Sequence, residues 1–495
     1  MMRSIFCIVI SIFLFLSNTP CFAQKRIIHL ATLNMGYKPG LERLAKEYME
    51  QHPGIEVKIS VITVEFATWV RAQIAGGEQT APDIYNANYT AGYYELGKWV
   101  DLTPYMSQIN PYTNQPWQSS LSYPFLERYK SGGKDICMVP IDFVEIAFFY
   151  NQDIFTKLNL QPPKTWEELI DICKRVQAAG YIPISIPGNA ESYWSGPVGW
   201  VVRFFTDAYC RDHVPLCMAQ PGDWNYDAKR NANFTLDLTN PYNDGNVLIS
   251  TERKLRLVLE GKFRFDTPQF AELYTYIREF SQYWEPGFNG TNFNSAYQLF
   301  LMQKSAMFID GSWRINKLKE DMLDLAPQDR FKWTTFRIPR LTSGKYCLAP
   351  FRGVGGGGTV WCLVKKSAAQ NKAALDFLQF ITTPHAGKVL VEESIKNRLP
   401  LNGPLLIQGV ELPPEIKSQF TAFEGLGFEK MAFRGWEDDQ ESVWQWTVYA
   451  QQYLAGKMSL PDFLARYQQL MVAAGLRWKE KYNIDLDPST KDSIK

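Results

Sequence analysis

The sequence predicts an α/β fold in which helices cover largely parallel sheets, divided between more than one domain. The chain has 495 residues, which exceeds what a single compact core holds, so two or three domains are expected. Near the N-terminus a strand, a helix and a second strand follow one another over short connections, an order typical of parallel sheets. Hydrophobic residues make up 46% of the chain and charged residues 21%, which excludes disorder, collagen and coiled coil as overall classes.

Residues 1–23 are predicted to be a secretory signal peptide. Arg3 is their single charge, residues 5–16 form an apolar run too short to span a bilayer, and the segment ends in Ala23. We therefore expect cleavage after Ala23 and a periplasmic or extracellular location. Lipid attachment at Cys21 is the alternative, although the residues before it match a bacterial lipobox poorly.

The net charge and the histidine and cysteine content bear on which partners, metal sites and disulfides are expected. The net charge of +1 becomes 0 without the leader, so no nucleic acid or anionic membrane partner is expected. The four histidines are dispersed, and we expect no metal and no cofactor. Two cysteine pairs, Cys210/Cys217 and Cys347/Cys362, either form disulfides or remain buried free thiols.

The elements at the N-terminus can be assigned in order. Residues 27–33 predict a strand, and apolar residues at helical spacing predict a helix over 41–49. Pro53 and Gly54 end that helix. Alternating apolar residues then predict a half-exposed strand over 55–61.

Further along, one helix has both a start and a stop signal. Thr165 and Glu168 fit a capping box, Gly180 fits the C-terminal cap, and a strand is predicted over 182–186. Strands are also predicted over 306–309 and 359–364, and a helix over 374–381. Residues 187–246 are rich in Asn, Asp, Pro and Gly, so we expect long loops and short helices there.

Four blocks of sequence, in this order along the chain, resemble the family 1 extracellular solute-binding proteins, the carbohydrate-binding subunits of bacterial ABC importers. The blocks are residues 81–84 (APDI), residues 138–169 (VP, then YNQDIF, then PPKTWEEL), residues 304–313 (KSAMFIDGSW) and residues 373–400 (AA, then FL, then LP). The resemblance covers nearly the whole mature chain.

This resemblance implies a two-lobed, periplasmic-binding-protein-like α/β fold with a hinge and a ligand in the cleft between the lobes. The implied lobes are residues 24–140 with 352–425 and residues 141–351 with 426–495, the second carrying an insertion at about 194–265. The chain would cross near Pro140 and Gly353, residue types that mark turns of the backbone.

The function implied by the resemblance is capture of a sugar or oligosaccharide and its delivery to an ABC transporter permease by hinge closure, without catalysis. A monomer is expected. Two alternatives remain open: an exported carbohydrate hydrolase, and a glycan-capture or sensor protein that works without a permease.

A sugar site needs aromatic rings against the apolar sugar faces and polar side chains around the hydroxyl groups. The chain has 15 Trp, 25 Tyr and 31 Phe. Most candidates follow strands, where loops leave the carboxyl edge of a parallel sheet. The candidate ligand-binding residues are Asn34, Tyr37, Tyr85, Asn86, Asn88, Tyr89, Asp142, Glu145, Tyr193, Trp194, Trp313, Arg352, Trp436 and Trp444.

Trp313 is the leading candidate because it follows a strand end and a Gly-Ser turn. Trp444 falls off the buried stripe predicted for the helix after Trp436, so its ring is free to face the cleft. Asp142 and Glu145 follow the presumed hinge. For each candidate the alternative is ordinary core packing or a solvated loop. Asp438 or Asp439 is expected to cap the helix that follows Trp436.

Sequence motifs of common enzyme classes are either absent or stand in the wrong structural context. The glycines Gly353, Gly355 and Gly358 match a dinucleotide-binding pattern but precede a strand instead of a helix. The chain has no phosphate-binding GxxxxGK[ST], no HExxH and no GxSxG. Asp142 and Glu145 are a possible glycosidase pair, but such pairs are common in any long chain.

Overall fold

Two separate sheets form the framework of the protein. The computed structural model describes residues 25–486, except for residues 89–92, 95, 123–125, 127–128, 132–134, 224, 246, 424–426, 428, 437–438 and 485. The predicted signal peptide lies outside these described residues.

The strands are β1 Arg26–Thr32, β2 Ile55–Val61, β3 Ile84–Asn86, β4 Ile109–Asn110, β5 Gln115–Pro116, β6 Lys130–Ser131, β7 Asp135–Ile136, β8 Met138–Pro140, β9 Phe143–Val144, β10 Ile146–Asn151, β11 Ile182–Ser185, β12 Ser305–Gly311, β13 Trp333–Phe336, β14 Gly356–Gly357 and β15 Val360–Leu363.

The α-helices are α1 Lys38–Gln51, α2 Phe66–Ala75, α3 Thr103–Met106, α4 Gln152–Lys157, α5 Trp166–Ala178, α6 Ala190–Ser195, α7 Pro197–Cys210, α8 Val214–Cys217, α9 Ala228–Asn231, α10 Thr251–Leu259, α11 Pro268–Ser281, α12 Phe293–Leu301, α13 Arg314–Asp324, α14 Ala368–Ile381, α15 Pro384–Lys396, α16 Pro414–Lys417, α17 Gln440–Leu454 and α18 Leu460–Lys481. Short 3-10 helices include Met35–Tyr37 and Phe288–Gly290.

The first sheet has the order β2-β1-β3-β15-β8. β1 pairs in parallel with β2 and β3, while β15 runs antiparallel to both β3 and β8. The second sheet has the order β11-β12-β10-β13, with β10 antiparallel to both of its neighbours. In each sheet a single strand is therefore reversed, and the predicted largely parallel arrangement is confirmed.

Most predicted elements are present with small changes in their ends. The Thr165 side chain accepts from the backbone N–H of Glu168, and the Glu168 carboxylate accepts from the Thr165 N–H, so the capping box is confirmed. Gly180 follows that helix with a φ of +85°, a conformation that favours glycine at this position. The side chain of Asp439 caps α17 by accepting from the Ser442 N–H.

The expectation of long loops and short helices over 187–246 is wrong for α7. This helix has 14 residues, and nearly all of them are buried. An amphipathic stripe is the usual sequence signal of a helix, but a helix buried on every side has no polar face to produce one. α7 instead lies in the middle of the larger core, with Phe204 and Phe205 packed against Trp166.

No disulfide joins two cysteines of the described residues. Cys362 lies in the first sheet, near Cys137, whereas Cys347 lies close to Glu272 and Glu167 beside the second sheet. The Cys347/Cys362 disulfide is therefore excluded by position. Cys210 and Cys217 are both buried close to one another, and burial raises the pKa of Cys210 well above its usual value.

The sheets draw on separate parts of the chain. The first takes β1, β2, β3 and β8 from the N-terminal part and β15 from much later, and the second takes strands between residues 146 and 336. The predicted lobe boundaries and the 194–265 insertion stay predictions.

Candidate functional site

In each sheet, most strands end at the same edge. These two edges, one in each sheet, are called the facing edges, and the one in the first sheet is the first edge. The segment 141–145 leaves the end of β8 and enters the start of β10, and the segment 337–359 leaves the end of β13 and enters the start of β15. Both segments join the same two edges, because β10 and β15 are the reversed strands. Ligands of open α/β sheets bind at the carboxyl ends of strands, so the region between these edges is the candidate site.

A hydrogen-bonded network surrounds Asp142 at the first edge. Its Oδ2 accepts from the Tyr37 hydroxyl at 2.8 Å, from Asn402 Nδ2 at 3.2 Å and from the Thr359 hydroxyl at 3.1 Å. Its Oδ1 accepts from the Thr359 backbone N–H at 2.6 Å. Asp142 and Tyr37 are completely buried. These hydrogen bonds join the segment 141–145 to Tyr37, Thr359 and Asn402, and the side chains of Asp142 and Tyr37 are enclosed in this structure.

Removing the charge of Asp142 is expected to change how stability depends on pH. Burial raises the pKa of Asp142 from 3.8 to about 6, against the opposing hydrogen bonds from Tyr37 and Thr359. The folded state therefore holds this proton more tightly than the unfolded state. The resulting stability is fully present below about pH 4 and is lost as the pH rises through about 6, roughly 3 kcal/mol in all.

The measurement is urea unfolding of the wild type and of Asp142→Asn at several pH values. The variant carries no titrating group at this position, so the wild-type free energy of unfolding should fall relative to that of the variant between about pH 4 and pH 7. A constant difference across this range would show that Asp142 does not titrate as described.

Asn34 supports the same network from the end of β1. It donates from Nδ2 to the Thr359 hydroxyl at 3.1 Å and accepts from the Gly36 N–H at 2.9 Å. A Cβ atom at Gly36 would lie 1.9 Å from the carbonyl oxygen of Pro400, so only glycine fits there. Asn34 is nearly fully buried and lies behind the edge surface.

Glu145 lies where the chain enters the second sheet. A Cβ at Gly353 would lie 1.8 Å from Glu145 Oε2, and one at Gly355 would lie 2.8 Å from it. The glycine-rich run therefore permits close approach of the chain to this buried carboxylate. Ser312, which directly follows β12, donates its N–H to the Glu145 carbonyl at 2.9 Å. This hydrogen bond joins the end of β12 to the segment 141–145.

Trp313 follows β12 at this edge and is partly exposed. Its ring lies 6.0 Å from that of Trp200, centroid to centroid, at an angle of 70°. It also covers Gly311, where a Cβ would lie 2.2 Å from the ring. The indole is thus held in one orientation by its neighbours, which suits a rigid platform.

Two tryptophans stand exposed on neighbouring helices. Trp194 in α6 is 47% exposed and Trp444 in α17 is 58% exposed, and these helices pack against each other. α6 follows β11 at the facing edge. The prediction that Trp444 falls off the buried stripe of its helix is confirmed. Tyr193, in contrast, is buried and donates its hydroxyl to Asn289 Oδ1 at 3.1 Å.

Trp436 does not lie on this surface. Only 1% of it is exposed, its ring is 6.3 Å from that of Trp478, and its backbone N–H donates to the Ser442 hydroxyl at 2.8 Å. The aromatic side chain serves the core instead of a ligand.

The run after β3 divides between core and surface. Tyr85 is buried and accepts from Trp99 Nε1 at 2.8 Å. Asn86 is also buried, and its Nδ2 has no partner in the described part of the chain. Asn88 is exposed, with Nδ2 donating to the Gly357 carbonyl at 2.8 Å. Tyr89 lies outside the described residues. Asn88 is thus the member of this run that the structure leaves accessible.

Arg352 belongs to a buried ion cluster and not to the cleft surface. Its Nε and Nη2 donate to the two oxygens of Asp207 at 2.7 and 2.6 Å, and its Nη1 contacts Asp244. Arg211 Nε donates to the other oxygen of Asp244 at 3.2 Å. All four side chains are fully buried. The predicted ligand contact of Arg352 stays a prediction, but in this structure its guanidinium is buried and engaged by two carboxylates from distant parts of the chain.

Thr359 and Asn402 were missed in the sequence, although both contact Asp142. Thr359 directly precedes β15, so its place before a strand entering this edge was the available signal. Asn402 closely follows the Leu399-Pro400 block, and only its tertiary contact reveals it. A Cβ at the neighbouring Gly403 would lie 1.8 Å from the carbonyl oxygen of Phe143, so the segment packs tightly on the crossing.

Three further observations concern metal sites, membrane-spanning helices and cavities in the described residues. Within the described residues, no group of three or more His, Cys, Asp and Glu side chains is placed to hold a metal ion. No helix in that part of the chain is long and apolar enough to cross a membrane. A cavity of about 460 Å³ lies by Arg26 and Ile55, at the opposite ends of β1 and β2, so it is separate from the candidate site.

Several known proteins and solved structures are similar to this chain. The multiple sugar-binding protein of Streptococcus mutans is 20% identical over 346 residues, covering 70% of this chain and 68% of that protein. Apo RafE of Streptococcus pneumoniae has a TM-score of 0.62 at 16% identity, covering 91% of this chain and 98% of that one. RafE in complex with raffinose has a TM-score of 0.60 at 15% identity, covering 91% and 99%. A sugar transporter of Bacillus licheniformis in complex with stachyose has a TM-score of 0.57 at 16% identity, covering 90% and 100%.

The family assignment rests on a longer match. Residues 43–402, which include every strand of the two sheets except β1, match the family described as bacterial extracellular solute-binding protein. The chain therefore belongs to the bacterial extracellular solute-binding proteins, and it has the two-lobed α/β fold of that family.

Proposed function

We propose that this protein binds a sugar or oligosaccharide between its lobes and delivers it to the permease of an ABC importer. The observation that carries the proposal is the pair of exposed tryptophans, Trp194 and Trp444, on neighbouring helices beside the facing edge. Apolar sugar faces bind well to such rings. The sugar-related names and complexes of its relatives support the same conclusion.

The proposed contacts come from both lobes. Trp194, Trp313 and Trp444 supply rings from the second lobe, and Asn88 supplies a polar side chain from the first. A ligand that touches both edges stabilises a closed arrangement over an open one, by its difference in affinity for the two. The segments around Asp142 and Gly353 serve as the hinge.

No catalytic step is proposed, because Asp142 is buried and engaged by Tyr37, Thr359 and Asn402. The apolar leader supports export to the periplasm or the extracellular space. We propose that the mature protein acts as a monomer without a cofactor, and that the permease is its membrane partner.

The proposal is tested by titrating the mature protein with raffinose, stachyose, xylo-oligosaccharides and chito-oligosaccharides, together with acidic oligosaccharides. Calorimetry and tryptophan fluorescence should report saturable binding of at least one of them, with the sugar recovered intact by chromatography. Absence of binding to all of them contradicts the proposal. Release of shorter sugars would instead favour the hydrolase alternative.

A further inference from the structure

Arg434 lies beside the first turn of α7. The backbone N–H of the preceding Phe433 donates to the Thr206 hydroxyl at 2.9 Å. A Cβ at Gly199 would lie 3.4 Å from Arg434 Nη1. Thr206 and Gly199 are about two helical turns apart, so the side chain extends along α7 toward its N-terminus.

The guanidinium of Arg434 has no counter-charge in the described part of the chain. Its Nη1 is buried and has no hydrogen-bond partner there. Burial lowers the pKa of Arg434 to about 10, and the neighbour that opposes this effect is the phenol of Tyr467. Burial and nearby groups raise the pKa of Tyr467 well above its usual value, so this phenol stays neutral. Arg434 as a residue is partly exposed, whereas Arg352 is fully buried and is held by two aspartates.

A buried cation without a partner is unfavourable, and proteins normally pair it. The surroundings of Arg434 indicate what completes the pairing. Trp200, next to Gly199 in the first turn of α7, packs against Trp313 at the facing edge. α6, with the exposed Trp194, directly precedes this turn.

The N-terminus of α7 adds positive partial charge near Arg434. Gly196, the N-cap residue of α7, provides no side-chain cap, and Pro197 has no N–H. The next N–H groups of a helix lack partners within the helix and favour negative charge. The unpaired guanidinium and the uncapped helix end therefore favour the same kind of ligand group.

We propose that Arg434 binds an acidic group of the saccharide, the carboxylate of a uronic acid or a sulfate ester. The proposal rests on the proposed function and specifies its substrate class. A planar guanidinium matches the two oxygens of either group, and the rings of Trp194, Trp313 and Trp444 remain available for the sugar faces.

The test compares matched sugars by calorimetry: trigalacturonate with its neutral methyl ester, and neocarrabiose 4-sulfate with neocarrabiose. In the wild type, at least one acidic sugar should bind tenfold or more tightly than its neutral partner. R434Q should remove this preference, and R434K should retain part of it. R264Q is the control, because Arg264 is a surface residue whose Nη2 lies 2.6 Å from Asp266. The two pairs distinguish a carboxylate from a sulfate.

The possible results distinguish the role of Arg434 from the proposed function of sugar binding. Binding of neutral sugars with equal affinity in wild type and R434Q, without a preference for the acidic forms, overturns the role of Arg434 and leaves the proposed function intact. Absence of binding to any saccharide, neutral or acidic, contradicts the proposed function instead. Without ligand, R434Q should melt at the wild-type temperature or above it, because an unpaired buried charge is removed. A lower melting temperature would assign Arg434 a structural role and overturn the proposal.

Discussion

Asp244→Ala is expected to lower the free energy of unfolding by about 3–5 kcal/mol, because it leaves two buried guanidinium groups to share a single carboxylate. Arg352 and Arg211 both pair with Asp244 in the wild type. Burial, followed by the charge of Arg352, already lowers the pKa of Arg211, so the second cation is sensitive to the loss of its counter-charge.

The measurement is urea unfolding followed by tryptophan fluorescence. Asp266→Ala is the matched control, since it breaks an exposed pair with Arg264 and should leave the midpoint nearly unchanged. The double variant Arg211→Met/Asp244→Leu removes one charge of each sign and should recover part of the lost stability. If Asp244→Ala unfolds at the same urea concentration as Asp266→Ala, the cluster does not stabilise the fold as described.

Replacing both exposed tryptophans is expected to reduce sugar affinity roughly a thousandfold. Each of Trp194 and Trp444 should contribute about 2 kcal/mol, the size typical of tryptophans that dominate an interface. Together about 4 kcal/mol corresponds to this factor. Calorimetry of Trp194→Ala, Trp444→Ala and the double variant, with whichever saccharide binds the wild type, provides the measurement.

Stability should change little in these variants, because both rings are about half exposed in the free protein. Trp444→Phe keeps an aromatic face and should retain most of the affinity. Leu476→Ala is the control for an exposed apolar residue, on α18. Wild-type affinity in the double variant would move the ligand away from this surface.

The sequence predicted the helices whose burial is one-sided, and it also predicted the short, fully buried strands β12 and β15 from their apolar runs. The capping box at Thr165 and the helix stop at Gly180 depend on neighbours in sequence, so both could be identified directly. α7 was missed because its apolar residues cover every face of the helix. Local patterns predict an element well when solvent lies on one side of it.

The site was predictable in position but not in detail. Strand ends placed Trp313 and Asn88 at the facing edge, since the topology rules that locate such edges are general. The same rules do not say which ring turns inward, and Trp436 is buried whereas Trp444 is exposed. Two arginines that look alike in sequence, Arg352 and Arg434, differ because one finds carboxylates at residues far along the chain and the other finds none within the described residues.

The position of β15 determines when the first lobe can finish folding. This strand lies between β3 and β8, yet its contact with β3 joins residues 274 positions apart in sequence, as between Val360 and Asn86. Closing so long a loop is entropically costly, and distant pairings slow folding. A ribosome must therefore complete nearly three quarters of the chain before this sheet can close, and the N-terminal segment alone lacks the strand that joins β3 to β8. We therefore expect this sheet to fold slowly, since its last strand is made late and pairs with a strand far away in sequence.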